Sequence, residues 1–129
     1  VAFQRGLGAI HALSHSLGAL YDAHHGTLNA IVMPYVLQMN RTAIEAEMQR
    51  AGRYLGLAKP NFDGILDWVL ELRSELDMPH TLAAIGIDDA QAETIGAMSV
   101  KDPSARTNPI QLDAAQYQQL FLNALNGTL

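Results

Sequence analysis

From Phe62 to Leu76, apolar side chains return every three or four positions, at Phe62, Ile65, Leu66, Val69, Leu72 and Leu76. That is the period of one face of an α-helix. The same spacing recurs along the chain, and no stretch alternates apolar and polar residues with the period of two that marks a half-buried strand. The pattern predicts an all-α fold, a helical bundle of about six helices forming one domain over residues 1–129.

Breaks in the pattern place the elements. Phe3, Leu7, Ile10, Leu13, Leu17 and Leu20 define a first helix over 2–20. Gly6, Gly8 and Gly18 lie within it, each weakening a helix by roughly 1 kcal/mol relative to alanine, which suits close packing against another backbone. A turn at 22–26 leads to a second helix over 27–40, where Pro34 is expected to cause a kink. Asn40 is expected to cap a third helix over 42–55, with Ile44, Met48, Ala51 and Leu55 inward. "GLAKPN" is a break, and Asn61 caps the 62–76 helix, whose apolar stripe is expected to be buried. After "DMPH" come a short helical turn at 81–85 closed by Gly86 and a helix to about Val100 capped by Asp88 or Asp89. "KDPSARTNPI" reads as a loop before a last helix, capped by Asp113, that buries Tyr117, Leu120, Phe121 and Leu125.

Composition narrows the function classes. A net charge of −5 gives no basic face for phosphates and argues against nucleic-acid binding. No apolar run is long enough to span a bilayer, and the one from Ala30 to Leu37 contains Pro34. The absence of cysteine excludes disulfides, thiolate metal sites and cysteine nucleophiles, and fits a cytoplasmic setting. Val1 opens a stretch that reads as helix interior with no charged signal-peptide region before it, so the chain is expected to be a fragment of a longer protein.

The chemistry concentrates in "AIHALSHSLGALYDAHHGTLNAI", which holds four of the five histidines, His11, His15, His24 and His25. His11 and His15 share a helix face, and a helical hairpin would bring His25 back toward them. Three converging imidazoles suit Zn, Fe, Ni or Cu. Ordinary hydrogen-bonded or surface histidines are the competing reading, and spacing alone leaves both open. The zincin motif is absent, because Ala12 follows His11.

The same stretch resembles the histidine signature of the iron-containing (group III) alcohol dehydrogenases, H-x-x-x-H-x-L-G-x-x-x-x-x-x-H-G-x-x-N-A-I-x-x-P. It matches at His11, His15, Leu17, Gly18, His25, Gly26, Asn29, Ala30, Ile31 and Pro34. Downstream, Pro79, Thr81, Leu82 and Gly86 resemble the family's P-x-T-L-x-x-x-G turn, and Asp102, Asn108 and Pro109 its D-x-x-x-x-x-N-P loop. The resemblance covers the C-terminal helical domain of such an enzyme, similar to the dehydroquinate synthase-like α-domain.

That resemblance implies a metal-dependent, NAD(P)-linked enzyme interconverting an alcohol and its aldehyde or ketone. It implies His11 and His25 as metal ligands, Fe2+ first and Zn2+ as the alternative, and His15 as a catalytic residue lining the substrate and nicotinamide pocket. The family's remaining ligands, an aspartate and a histidine, and its nucleotide-binding domain lie N-terminal to the segments matched here. The missing N-terminal domain is therefore the expected partner, together with other copies in a homo-oligomer, and the chain alone is expected to be inactive.

A metal-independent maleylacetate-reductase-like enzyme is the alternative, but Ile10 and Asn29 stand where those relatives tend to carry histidine. A zinc polyol dehydrogenase and an inactive helical oligomerisation module are the others. His24 reads as incidental and His80 as a surface residue in a loop, with no partner suggested by the sequence. Asp63, Asp67 and Glu71 read as a solvated acidic face, the methionines as core fillers, and Arg106 as a weak candidate for holding an anion.

Overall fold

The computed structural model describes residues 8–22 and 24–129. It contains α1 (Gly8–Tyr21), α2 (His25–Met39), α3 (Arg41–Tyr54), α4 (Phe62–Glu75), α5 (Ala92–Lys101) and α6 (Ala114–Asn126). Two 3-10 turns, Ala83–Ile85 and Pro103–Thr107, complete an all-helical fold with no strand among the described residues. Phe3, Gly6 and Leu7 lie outside the described residues. The capping signals at Asn61 and Asp113 act as expected: Asn61 accepts from the Gly64 N–H, and Asp113 with Gln116 forms a reciprocal capping box. Gly86 and Gly127 close their helical segments in the left-handed conformation.

α1 packs against α2, α5 and the Pro103–Thr107 turn. Its small residues allow this: Ala9, Ala12 and Ser16 are buried, and Ser16 Oγ lies 3.1 Å from Ser99 Oγ of α5. A Cβ added at Gly8 would collide with the backbones of Ser104 and Asn108, so that glycine permits the contact between α1 and the turn. Gly18 differs from the expectation of close packing, because a Cβ there would meet nothing within 4 Å. Leu13, Leu17, Leu28, Ile31, Leu120 and Phe121 fill the main core without exposure, each contributing about 1.5–3 kcal/mol. A smaller cluster of Leu37, Ile44 and Phe62 joins α2, α3 and α4.

Polar bonds correct several expectations. Asn40 makes no side-chain cap to α3. It is instead fully buried and exchanges two hydrogen bonds with Asn108, Asn40 Nδ2 to Asn108 Oδ1 and Asn108 Nδ2 to Asn40 Oδ1, both 2.8 Å. Asn108 also accepts from the Ala9 N–H at 3.3 Å and donates to the Ile110 carbonyl at 2.6 Å. The pair therefore ties the end of α2, the start of α1 and the 103–110 segment together. That segment is not a plain loop, since residues 103–107 form a 3-10 turn capped by Asp102. Neither Asp88 nor Asp89 caps α5: Gln91 occupies the cap position, and Asp88 accepts from the Ala90 N–H in a local turn.

The helix α2 continues through Pro34. Proline has no N–H, so the Ala30 carbonyl lacks its usual intrahelical donor. Arg73 of α4 replaces it, its Nη1 donating to the carbonyls of Ala30 at 3.1 Å and Ile31 at 2.9 Å. Its Nη2 donates to His80 Nδ1 at 2.6 Å, and the Tyr35 hydroxyl donates to the His80 carbonyl at 2.8 Å. His80 is exposed, as expected from the sequence, and it has partners that the sequence did not suggest. The stripe on α4 is only half buried, with Phe62 and Ile65 inside and Leu72 and Leu76 exposed, and Leu55 is likewise exposed. Asp67 and Glu71 are exposed, and Asp63, also exposed, pairs with Arg41 at 3.2 Å.

Asn108→Ala strands the Asn40 amide in the core and removes a bond to the Ala9 N–H. Urea denaturation is expected to show a loss of roughly 2–3 kcal/mol; a loss within the error of the measurement would contradict the role given to the pair.

Candidate functional site

The histidines meet where α1 runs into α2. His11 and His15 sit one turn apart on α1, and the chain reverses through Asp22, which has a positive φ of 50° and whose N–H reaches the Gly18 carbonyl at 3.1 Å. α2 begins two residues earlier than its apolar pattern predicted, at His25. His24 accounts for the difference. Its Nδ1 accepts the Thr27 N–H at 3.3 Å, capping α2. A Cβ on Gly26 would come within 3.1 Å of that ring. His24 is a structural cap rather than an incidental residue, and its cap fixes His25 as the first residue of α2.

The hairpin brings three rings together. Centroid separations are 6.1 Å for His11–His15, 5.9 Å for His11–His25 and 5.3 Å for His15–His25. An imidazole nitrogen binds a divalent ion at about 2.1 Å, which puts two rings sharing one ion roughly 5–6 Å apart. Separation alone therefore suits every pair, and orientation disfavours one of them. The nitrogen lone pair lies in the ring plane, so a shared ion must lie in both planes. His11 is inclined at 70° to His15 and at 54° to His25, so the planes of either pair can intersect close by. His15 and His25 are stacked at 21°, and near-parallel planes do not meet at a bond length. Among the described residues no group of three His, Cys, Asp or Glu side chains is arranged to hold a metal ion.

His15 has a partner of its own. Its Nδ1 lies 2.9 Å from Asp102 Oδ2, across 87 residues of sequence, while the side chain remains 47% exposed. Asp102 Oδ1 accepts the Ser104 N–H at 2.8 Å. Burial pushes the Asp102 carboxyl upward, but the Ser104 backbone bond, the side-chain bonds of His15 and Ser104 and the His15 charge outweigh it, leaving Asp102 below its ordinary value. Beneath it, the buried Tyr117 phenol is pushed up to about 12 by burial and then by the Asp102 charge. The His25 pKa is lowered from its ordinary 6.5 by burial first and by the neighbouring charges of His15, His11 and His24 next, which favours the neutral form that metals bind. Arg106, exposed in the 3-10 turn, is not part of this cluster.

Three imidazoles from two consecutive helices thus converge in an all-helical domain. The chain matches the Fe-containing alcohol dehydrogenase family, C-terminal, over residues 1–125, and it belongs to that family. It is 36% identical over 130 aligned positions to 4-hydroxybutyrate dehydrogenase of Cupriavidus necator, covering 94% of this chain and 34% of that protein. Identity to 1,3-propanediol dehydrogenase of Citrobacter freundii is 28%, covering 92% of this chain and 32% of that protein. The fold superposes on a crystal structure of 1,3-propanediol oxidoreductase with a TM-score of 0.86 at 24% identity, covering 92% of this chain and 32% of that one. The chain thus spans about a third of the length of the curated relatives it matches.

The sequence reading missed Asp102 as a partner of His15 and His24 as a cap. The D-x-x-x-x-x-N-P match marked Asp102 without its role, because the contact is formed only by the tertiary fold.

Both His25 and His80 are held below the ordinary histidine value, His80 by burial and then by the Arg73 charge. The unfolded chain therefore takes up these protons more readily than the folded one, so their contribution to stability is present above pH 6.5 and is lost as pH falls through and below it. Denaturant titrations of the metal-free protein on either side of that value are expected to show this fall, and an unchanged or rising stability would contradict it. His24→Ala is expected to cost about 1 kcal/mol or less, with His24→Asn restoring the loss.

Proposed function

We propose that this chain is the metal-site half of a metal-dependent, NAD(P)-linked alcohol dehydrogenase acting on a small alcohol or aldehyde. His11 and His25 are the metal ligands it contributes, for Fe2+ with Zn2+ as the alternative, and His15 is its catalytic residue at the substrate. The observation that carries this reading is the convergence of His11 and His25 at 5.9 Å while the Nδ1 of His15 is taken by Asp102. Family membership supports the activity class, and the activities of the relatives named above support a small-alcohol substrate.

When bound, the metal supplies Lewis acidity at the alcohol or carbonyl oxygen, and the nicotinamide takes up or supplies the hydride. The chain's own groups do the rest. His11 and His25 present ring nitrogens, and the lowered pKa of His25 favours its neutral form. His15 lies beside them with an exposed ring edge available to the substrate. Gly18, one turn further along the same face of α1, leaves space at the backbone for a ligand to approach. The nucleotide-binding half and the remaining metal ligands come from an N-terminal domain of the intact protein, and the half-exposed apolar face of α4, at Trp68, Leu72 and Leu76, suits packing against that domain or another copy.

Two imidazoles without carboxylates make a weak site, so the 129-residue chain alone is expected to bind zinc or ferrous iron weakly and to turn over no alcohol. Isothermal titration of the wild type and of His11→Ala, His15→Ala and His25→Ala tests the ligand assignment. Binding lost in the first and third variants and kept in the second is the expected result. Binding lost through His11 and His15 with His25→Ala unaffected would overturn it.

A further inference from the structure

The match to the D-x-x-x-x-x-N-P loop leaves Asp102 without a role, and the structure gives it a specific one. An ionised carboxylate only accepts hydrogen bonds, so a ring nitrogen 2.9 Å from Asp102 Oδ2 must be the donor. The proton of a neutral His15 ring therefore sits on Nδ1, and the lone pair sits on Nε2. Asp102 is itself fixed, because its second oxygen accepts the Ser104 N–H and it caps the Pro103–Thr107 turn. That turn is seated on α1 through Gly8 and Asn108, so the carboxylate and the ring belong to one clamped unit.

We propose that Asp102 is a positioning residue that holds His15 as the Nδ1–H tautomer, with Nε2 turned outward as the hydrogen-bond acceptor for the hydroxyl of the substrate alcohol. This rests on the alcohol dehydrogenase reading above for the identity of the ligand, but the tautomer itself does not. The arrangement separates two jobs within one cluster. The His11 and His25 rings converge at 5.9 Å, whereas His15, stacked on His25, has its Nδ1 engaged by a carboxylate on a different element. A carboxylate oriented by a backbone N–H and bonded to the far nitrogen of an imidazole fixes both the ring's rotation and its proton, the arrangement that makes a histidine a directional acceptor.

The test uses the intact, zinc-loaded protein with 15N-labelled histidine. The ring shifts of His15 are expected to report a protonated Nδ1 and a bare Nε2, and to exchange or reverse in Asp102→Asn, whose amide can donate to Nδ1. Alcohol oxidation is expected to fall roughly 10- to 100-fold in kcat in Asp102→Asn with metal content unchanged, and to recover in part in Asp102→Glu. The deciding comparison is the double variant: in a His15→Ala background, Asp102→Asn is expected to have no further effect on kcat. An equal loss in that background would mean that Asp102 acts on the fold rather than through His15. A bare Nδ1 in the wild type would overturn the proposal without any variant having to fold. Failure of the enzyme to oxidise any alcohol would count against the functional reading, while the ring shifts would still decide the tautomer.

Discussion

Two primary amides buried against each other impose the arrangement on which the site depends. A buried amide without partners is costly, and Asn40 and Asn108 avoid that cost only when α2, α1 and the 103–110 segment are all in place. Asn108 uses both of its amide hydrogens, and its oxygen accepts twice, so a shift of any of the three segments breaks at least one bond. The clamp is therefore a register device as much as a source of stability. Its consequence lies six residues upstream, where Asp102 opens the 3-10 turn that Asn108 anchors and meets His15.

The same logic explains why the site sits at the edge of α1. One side of that helix is lined with Gly8, Ala9, Ala12 and Ser16, which allow neighbouring backbones to come close, while His15 is exposed and His11 half-buried. α2 then reverses beside it, begun by the His24 cap and steadied near its centre by Arg73, which bonds the carbonyl that Pro34 leaves without a donor. Polar groups thus fix the start and the middle of the helix that presents His25. Apolar burial supplies the bulk of the stability, but it is indifferent to a rotation of a few degrees. These directional bonds are what turn a packed bundle into a defined geometry.

The helices could be read from the sequence because apolar periodicity is local, and the caps at Asn61 and Asp113 because each acts within three residues. Asn40 was misread for a related reason: an asparagine before a helix looks like a cap, and its true partner is 68 residues away. Leu72 and Leu76 continue the right period but run past the edge of the bundle, so period alone overstated their burial. At the site, the i,i+4 pair and the hairpin were enough to bring His11, His15 and His25 together. The different bonding of His15 was not legible, because it depends on a carboxylate 87 residues distant and on ring planes that no spacing rule encodes. The family signature distinguished the histidines by position; the structural difference among them is the bond from His15 to Asp102.

The measurement that bears most directly on this account is anomalous diffraction at the metal edge from crystals of the metal-loaded intact protein. The account predicts a peak at about 2.0–2.2 Å from one imidazole nitrogen each of His11 and His25, with His15 Nδ1 still on Asp102. A peak bonded to His15, or one bonded to neither His11 nor His25, would contradict it.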